Sequence, residues 1–320
     1  MNVQLRDLSS INPAPFLSPA SYWMPELMAP SAWHEHAPFG FWMVNALRPR
    51  TVVELGVHHG YSYFVFCQAV QRLHLPARCF AVDSWIGDEH AGFYGDEVYA
   101  AVCSHNRRYD GFSRLIRSNF SDACGEFADG SIDLLHIDGY HTHGAVRRDF
   151  ENWLPKLSQR GVMLFHDTTE YANGFGVHQL WEELRRHYPH FEFRHGHGLG
   201  VLGVGDRLPV AMRDLFDTSA SSASSQAIRT AYERLGGFIG NLEKLKQRED
   251  ELEELVRRAR HLEAVVDSYE TSTSWRVTAP LRRVAGLMQS ANTIGKDLRE
   301  TLQNAASTPV AHKPAFRSDH

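Results

Sequence analysis

Two short runs place chemistry-bearing side chains at the ends of apolar stretches. Asp138 closes LLHID, and His166 and Asp167 close MLFHD. In a parallel sheet the carboxyl ends of the strands open into one crevice, so these side chains can converge although the chain separates them. Two carboxylates and an imidazole supply a partial shell for a divalent cation, which water and substrate oxygens would complete. Such an ion lowers the pKa of a hydroxyl and fixes its direction. His141 and His143 follow Asp138 in GYHTHG. Imidazoles titrate near neutral pH, which makes both candidates for general base, with His141 preferred because it is nearer the strand end. Helix-entry or surface duty is the plainer alternative for each.

A second motif is ELGVHHGYS, Glu54 to Ser62. Gly56 and Gly60 allow a sharp turn after a strand and close approach to a ligand. The helix that follows offers free N–H groups to a carboxylate. The spacing E-x-G-x-x-x-G differs from the G-x-G-x-x-G of dinucleotide folds and favours S-adenosylmethionine over NAD. Asp83 ends the next apolar run, CFAVDSW, where an acid can accept from both ribose hydroxyls.

The elements that must position these groups alternate. Thr51 to Leu55, Cys79 to Val82, Ile132 to Ile137 and Gly161 to Phe165 read as buried strands. Tyr63 to Val70, Ala145 to Leu157 and Gly176 to Tyr188 read as helices, and Phe191 to Phe193 with Val201 to Val204 as a terminal hairpin. Strand and helix in alternation predict an α/β fold, a doubly wound, Rossmann-like and mostly parallel sheet ending in a β-hairpin. The aromatic N-terminal stretch PSAWHEHAPFGFWMVNAL reads as a covering helix, with a sugar-stacking wall as its alternative.

The composition narrows the function. The net charge of -5 argues against a nucleic-acid partner, since phosphates reward a concentrated positive surface. Four cysteines without a CxxC spacing fit reduced thiols in the cytoplasm, and the N-terminus lacks the pattern of a signal peptide. The nineteen histidines cluster before residue 200, which leaves metal binding and acid/base work both open.

ELGVHHGYS resembles the first motif of class I methyltransferases, closely so in the catechol-type O-methyltransferases. The segments DSWIGDEHAGFYGD and LLHIDGYHTHGAVRRDFENWLPKLSQRGVMLFHD are similar to a bacterial methyltransferase family associated with glycan assembly. The resemblance covers about residues 30 to 205. It implies S-adenosyl-L-methionine as cofactor, with Glu54, Gly56, Gly60 and Ser62 around its methionine part and Asp83 on the ribose. It further implies Mg2+ or another divalent cation on Asp138, His166 and Asp167, and a sugar hydroxyl of a glycan or its precursor as acceptor. His166 stands where relatives carry an acid or amide, and Tyr140 where some carry the base. A non-catalytic scaffold on the same fold is the competing expectation, and another reaction on the same metal a third.

Beyond residue 216 the character changes. The expected order is an N-terminal helical cover over 1–50, the cofactor-binding domain over 51–216, a Ser/Ala-rich linker over 217–230, a coiled coil over 231–270, an amphipathic helix over 271–300 and a disordered tail over 301–320. Leu235, Phe238, Leu242, Leu245, Leu252, Val256, Ala259, Leu262, Val266 and Tyr269 set the coiled-coil seam, which Glu249 interrupts and which shifts near Leu255. A single helix lying back on the catalytic domain is the alternative. In STSWRVTAPLRRVAGLM, Thr278 is the expected cap, and Val277, Leu281, Val284 and Met288 share a face beside Arg282 and Arg283. This extension is expected to bind a second copy or a glycosyltransferase partner, with weak contact at the inner membrane surface.

Overall fold

The structure, a computed structural model, describes residues 13–220, 222–285 and 296. Nine strands and nine α-helices can be followed among them. The apolar runs form β1 (Thr51–Leu55), β2 (Arg78–Asp83), β5 (Ser113–Arg117), β6 (Ile132–Ile137) and β7 (Leu157–His166), all parallel. β8 (His190–Phe193) and β9 (Leu199–Gly203) close the sheet as the expected antiparallel pair, giving the order β5-β2-β1-β6-β7-β9-β8. A small hairpin, β3 (Gly87–Asp88) and β4 (Gly92–Phe93), stands apart from the sheet.

Both faces of the sheet are covered, which is why its strands read as continuous apolar runs. Val52, Ala81, Leu134 and Leu164 face one cluster, while Val53, Val82, Leu135 and Met163 face the other. The first cluster packs against α1 (Ala37–Leu47) and α2 (Tyr61–Arg72), the second against α5 (His143–Trp153) and α6 (Val177–Leu184). α3 (Asp96–Asn106), the short α4 (Phe120–Ala123) and α7 (Val210–Asp217) complete this part. Because the chain leaves β1 for β2 on one side and later places β6 on the other, the order switches at β1. A crevice opens there at the carboxyl ends of the strands.

The N-terminal cover is core. Trp33, Phe39, Phe41 and Trp42 are each at most 2 % exposed, and α1 is apolar on all sides because it is enclosed on all sides.

The Ser/Ala-rich segment is helical from residue 222. It begins α8 (Ser222–Thr271), whose Ile228, Tyr232 and Ile239 enter the first core cluster. The Tyr232 hydroxyl donates to Phe16 O at 2.6 Å, and a Cβ on Gly236 would stand 1.9 Å from Glu35 O. Within the Ser/Ala segment itself, Ser225 is buried and the Ser219 hydroxyl donates to His190 O, so the small side chains that suggested a flexible linker lie against the fold. The chain divides into two units between Lys246 and Gln247, inside α8, and not at the Ser/Ala segment.

Past α8, Ser272 caps α9 (Thr273–Val277), accepting from Trp275 N. The expected cap, Thr278, instead bonds back to Ser274 O and accepts from Arg282. Val277, Leu281 and Val284 are exposed, whereas Met288 and the tail over 301–320 lie outside the described residues.

One buried acid has no role in the site. Asp149 of α5 is 9 % exposed, and burial pushes its carboxyl up to about 6 against the pull of Arg148. An acid with a higher pKa folded than unfolded holds its proton more tightly in the native chain. Its contribution is therefore greatest below the unfolded value and falls as pH rises through about 6, by about 3 kcal/mol in all. Asp149→Asn is expected to remove that loss. Urea unfolding at pH 4.5 and 7.5 should show the variant gaining more stability relative to the parent at the higher pH.

Candidate active site

The strand ends bring ELGVHHGYS and the two acidic runs together. After β1, Gly56 and Gly60 take φ of 85° and 86°. The turn is held from the neighbouring strand by Asp83. One carboxylate oxygen accepts from the N–H groups of Val57 (2.7 Å) and His58 (2.9 Å), and the other from Trp85 N–H (2.7 Å). Asp83, expected on a ribose, thus also shapes the loop that would receive the cofactor.

Two cavities lie along this edge, of about 250 and 410 Å³. The smaller is walled by Asp83, Ser84, Asn119 and Phe120, and the larger by His59, Ser62, His166, Asp167 and Phe175. Gly56, His58, Ala91, Asp138 and His141 line both. Glu54 lines neither. It is fully buried behind the turn, accepts from Ser62 Oγ at 2.7 Å and pairs with His136 Nδ1 at 3.0 Å. Burial pushes its carboxyl up, against the pull of His136.

Asp138, His141, His166 and Asp167 converge. His141 Nε2 stands 3.0 Å from Asp167 and 3.5 Å from Asp138. His166 Nδ1 stands 3.3 Å from Asp167 and 3.5 Å from Asp138. The other nitrogen of His166, Nε2, lies 3.1 Å from Gly196 O, an atom that only accepts, so Nε2 carries hydrogen. The same carbonyl takes His36 Nε2 at 2.9 Å. A histidine that donates one N–H to a backbone carbonyl presents its other nitrogen as a ligand. Asp167 has φ of 62°, a left-handed conformation rare outside glycine and typical of strained functional positions.

The imidazoles and carboxylates of the cluster hold one another by charge. Burial alone would lower the His166 imidazole, but Asp167 and Asp138 outweigh it and hold it well above its usual value. Burial likewise opposes His141, yet hydrogen bonds to Asp138 and Asp167 raise it to about 9. Burial raises both carboxyls, and the two imidazoles more than reverse this. Asp138, His141 and Asp167 each offer a ligand atom within 4.8 Å of the others, and His141 Nδ1 is buried with no hydrogen-bond partner. This donor set fits a divalent cation.

His141 was expected as a base. Its Nε2 lies between two carboxylates, where it offers a candidate ligand atom beside Asp138 and Asp167. His143 starts α5, faces Glu183 at 3.4 Å and the Arg147 guanidinium, and lines neither cavity. The loop around His90 reaches the site, where His90 stacks on Phe175 and Phe175 on His141, both with ring centres 4.6 Å apart. The cavity wall from the N-terminal stretch is Pro30, Ser31 and Ala32, not its aromatic residues.

Sequence reading missed β5 and, with it, Asn119 and Phe120. SRLIR has two adjacent apolar residues between polar ones at the edge of the sheet, neither a continuous apolar run nor an alternation, so no periodic signal marked it. It also missed Glu170, which meets His197 Nδ1 at 2.5 Å beside the larger cavity.

The sheet order, with helices on both faces and a glycine turn at the switch point, makes this a doubly wound, Rossmann-like fold. Residues 53–168 match the family model described as a methyltransferase domain. An uncharacterized protein of Sinorhizobium fredii, y4gI, is 54% identical over 188 residues, which are 59% of this chain and 21% of that protein. The chain thus spans about a fifth of that relative's length. Among solved structures, a putative caffeoyl-CoA O-methyltransferase of Staphylococcus aureus is similar at 13% identity and TM-score 0.41, over 52% of this chain and 81% of that one. The O-methyltransferase TomG of Streptomyces achromogenes, solved with SAM, is similar at 12% identity and TM-score 0.42, over 57% and 83%.

Proposed function

We propose that the chain is an S-adenosylmethionine-dependent O-methyltransferase that positions its acceptor, a sugar hydroxyl of a glycan or glycan precursor, with a divalent cation. The observation that carries this reading is the shared wall. Gly56, at the cofactor turn, and Asp138 and His141, in the cation cluster, line both cavities, so methyl donor and acceptor oxygen would meet across it.

Each part of the chain has a task in that reaction, in which the methyl carbon leaves sulfur and bonds to oxygen while the hydroxyl loses its proton. Gly56 lets the turn approach the donor, and Asp83 fixes the turn's N–H groups. Asp138 and Asp167 supply the negative charge that would hold a cation, while His141 and His166 supply nitrogen donors, the second with its tautomer set by Gly196. A cation held there would lower the pKa of a hydroxyl directed at it. The His90 loop and Phe175 limit access of water. Ser31, Glu170, Asn173 and His197 offer hydrogen-bond partners around the larger cavity, which suits a polyhydroxyl acceptor better than a flat apolar one.

Calorimetric titration of the folded chain with S-adenosylmethionine and its demethylated product tests the first step, and lack of binding by both would end this reading. With sugar-nucleotide acceptors, the expected product gains one methylene by mass, and turnover stops in chelator. Turnover undiminished in chelator would remove the cation.

A further inference from the structure

The second half of α8 carries an apolar stripe that nothing in the described chain covers. Leu252, Leu255, Leu262, Val266 and Tyr269 are 52–64 % exposed. With Leu252 as heptad position a, the a positions are Leu245, Leu252, Ala259 and Val266, and the d positions are Leu255, Leu262 and Tyr269, with Arg248 the one charged residue in the seam. We infer that this stripe pairs with a second copy of the chain as a parallel, in-register, two-stranded coiled coil.

The flanking charges select the occupant and its direction. In a parallel pair, each g residue meets the e residue five places on in the partner helix. Lys244 and Arg258 stand at g, and Glu249 and Glu263 at e, so Lys244 faces Glu249 of the second copy and Arg258 faces Glu263 of the second copy. All four are exposed. The remaining g–e contacts, Glu251 with Val256 and Val265 with Glu270, set no like charges together. An antiparallel pair would bring e against e. It would also bring g against g, where Glu251 can meet Lys244 or Arg258, but the e flank, Glu249, Val256, Glu263 and Glu270, then sets glutamate against glutamate and offsets that gain, whereas the parallel pair has no like-charge contact. Leucine at d with β-branched Val266 at a favours two strands, and Ala259 lets the helices approach closely. The Glu254–Arg257 ion pair lies on the opposite face of the helix and is complete within one chain. The interface is independent of the methyl-transfer reading, since it uses no residue of the cavities.

Sedimentation of the full chain is expected to give twice the chain mass, and Leu255→Asp with Leu262→Asp to give the monomer while thermal unfolding of the body is kept. Glu263→Arg should raise the dimer dissociation constant by roughly 2- to 10-fold, and adding Arg258→Glu should restore it. Oxidised Val266→Cys is expected to cross-link with itself, since a faces a in a parallel pair. A monomer at the highest concentration the chain tolerates would overturn the inference. So would cross-linking that requires an a cysteine together with a d cysteine, such as Leu252→Cys with Leu262→Cys, the signature of antiparallel helices.

Discussion

Asp138→Ala is expected to abolish divalent-cation binding and to lower methyl transfer by more than about 100-fold, since even residues that only orient a metal ligand cost 10- to 100-fold when removed. Asp138, like Asp167, reaches both imidazoles of the cluster: its carboxylate stands 3.5 Å from both His141 Nε2 and His166 Nδ1. Its loss also destabilises the ion-free chain, because His166 is buried and would keep only Asp167 as counter-charge. Breaking one side of a buried ion pair typically costs about 3–5 kcal/mol. Asp138→Asn keeps the shape and separates the two effects. The pH dependence follows from the same geometry. His141 is held up to about 9, so at neutral pH its Nε2 carries a proton that a cation must displace. Affinity for Mn2+ should therefore climb with pH, by up to about tenfold per unit for each proton released, and level off above about 9. Titration calorimetry with Mn2+ from pH 6.5 to 9.5 checks both points. A flat profile, or full affinity in Asp138→Ala, would refute the assignment of this cluster.

What the sequence made legible depended on whether a local pattern had one physical cause. The strands around the site could be read because a sheet buried on both faces demands continuous apolar runs, and TVVEL, IDLLHI and GVMLF satisfy that demand. Asp83, Asp138 and Asp167 could be placed at one edge because parallel strands all end there. Side-chain direction could not be read. Nothing in GYHTHG tells that His141 turns toward Asp167 while His143, two residues on, turns toward Glu183. Those directions come from the loop that ends at Gly176, whose N–H donates to His141 O and which has no room for a Cβ beside His143. The Ser/Ala segment misled for a related reason. Small side chains mean freedom when nothing lies beside them and close packing when a backbone does. Here His190, whose carbonyl accepts from Ser219, supplies the backbone, and Ser225 is buried. Gly196 O, which meets both His36 and His166, links the N-terminal cover to the cation cluster, and no pattern within either segment announces it.

Gly56→Ala is expected to unfold the site from its centre. Two costs add at this position. The backbone has φ of 85°, where a side chain pays about 1–2 kcal/mol. A Cβ would also stand 2.0 Å from the carbonyl oxygen of Asp138, and because that neighbour is backbone, no rotamer change relieves the clash. Overpacking of this kind adds about 1–3 kcal/mol. The relief available is to push the end of β6 away from β1, yet Asp138 N–H is bonded to Leu55 O, so the movement breaks the ladder at the point where the two cavities join. A total of about 2–5 kcal/mol lowers the melting temperature by roughly 5 to 20 °C for a domain of this size. Cofactor and cation binding should fall together, since Gly56 and Asp138 line the same wall. Gly130→Ala is the matched control. Gly130 also has positive φ, 70°, but a Cβ there meets nothing within 4 Å, so it should pay the backbone cost alone and leave both ligands bound. Equal losses of melting temperature in the two variants, with S-adenosylmethionine still bound by Gly56→Ala, would mean that the approach of the turn to Asp138 does not shape the site.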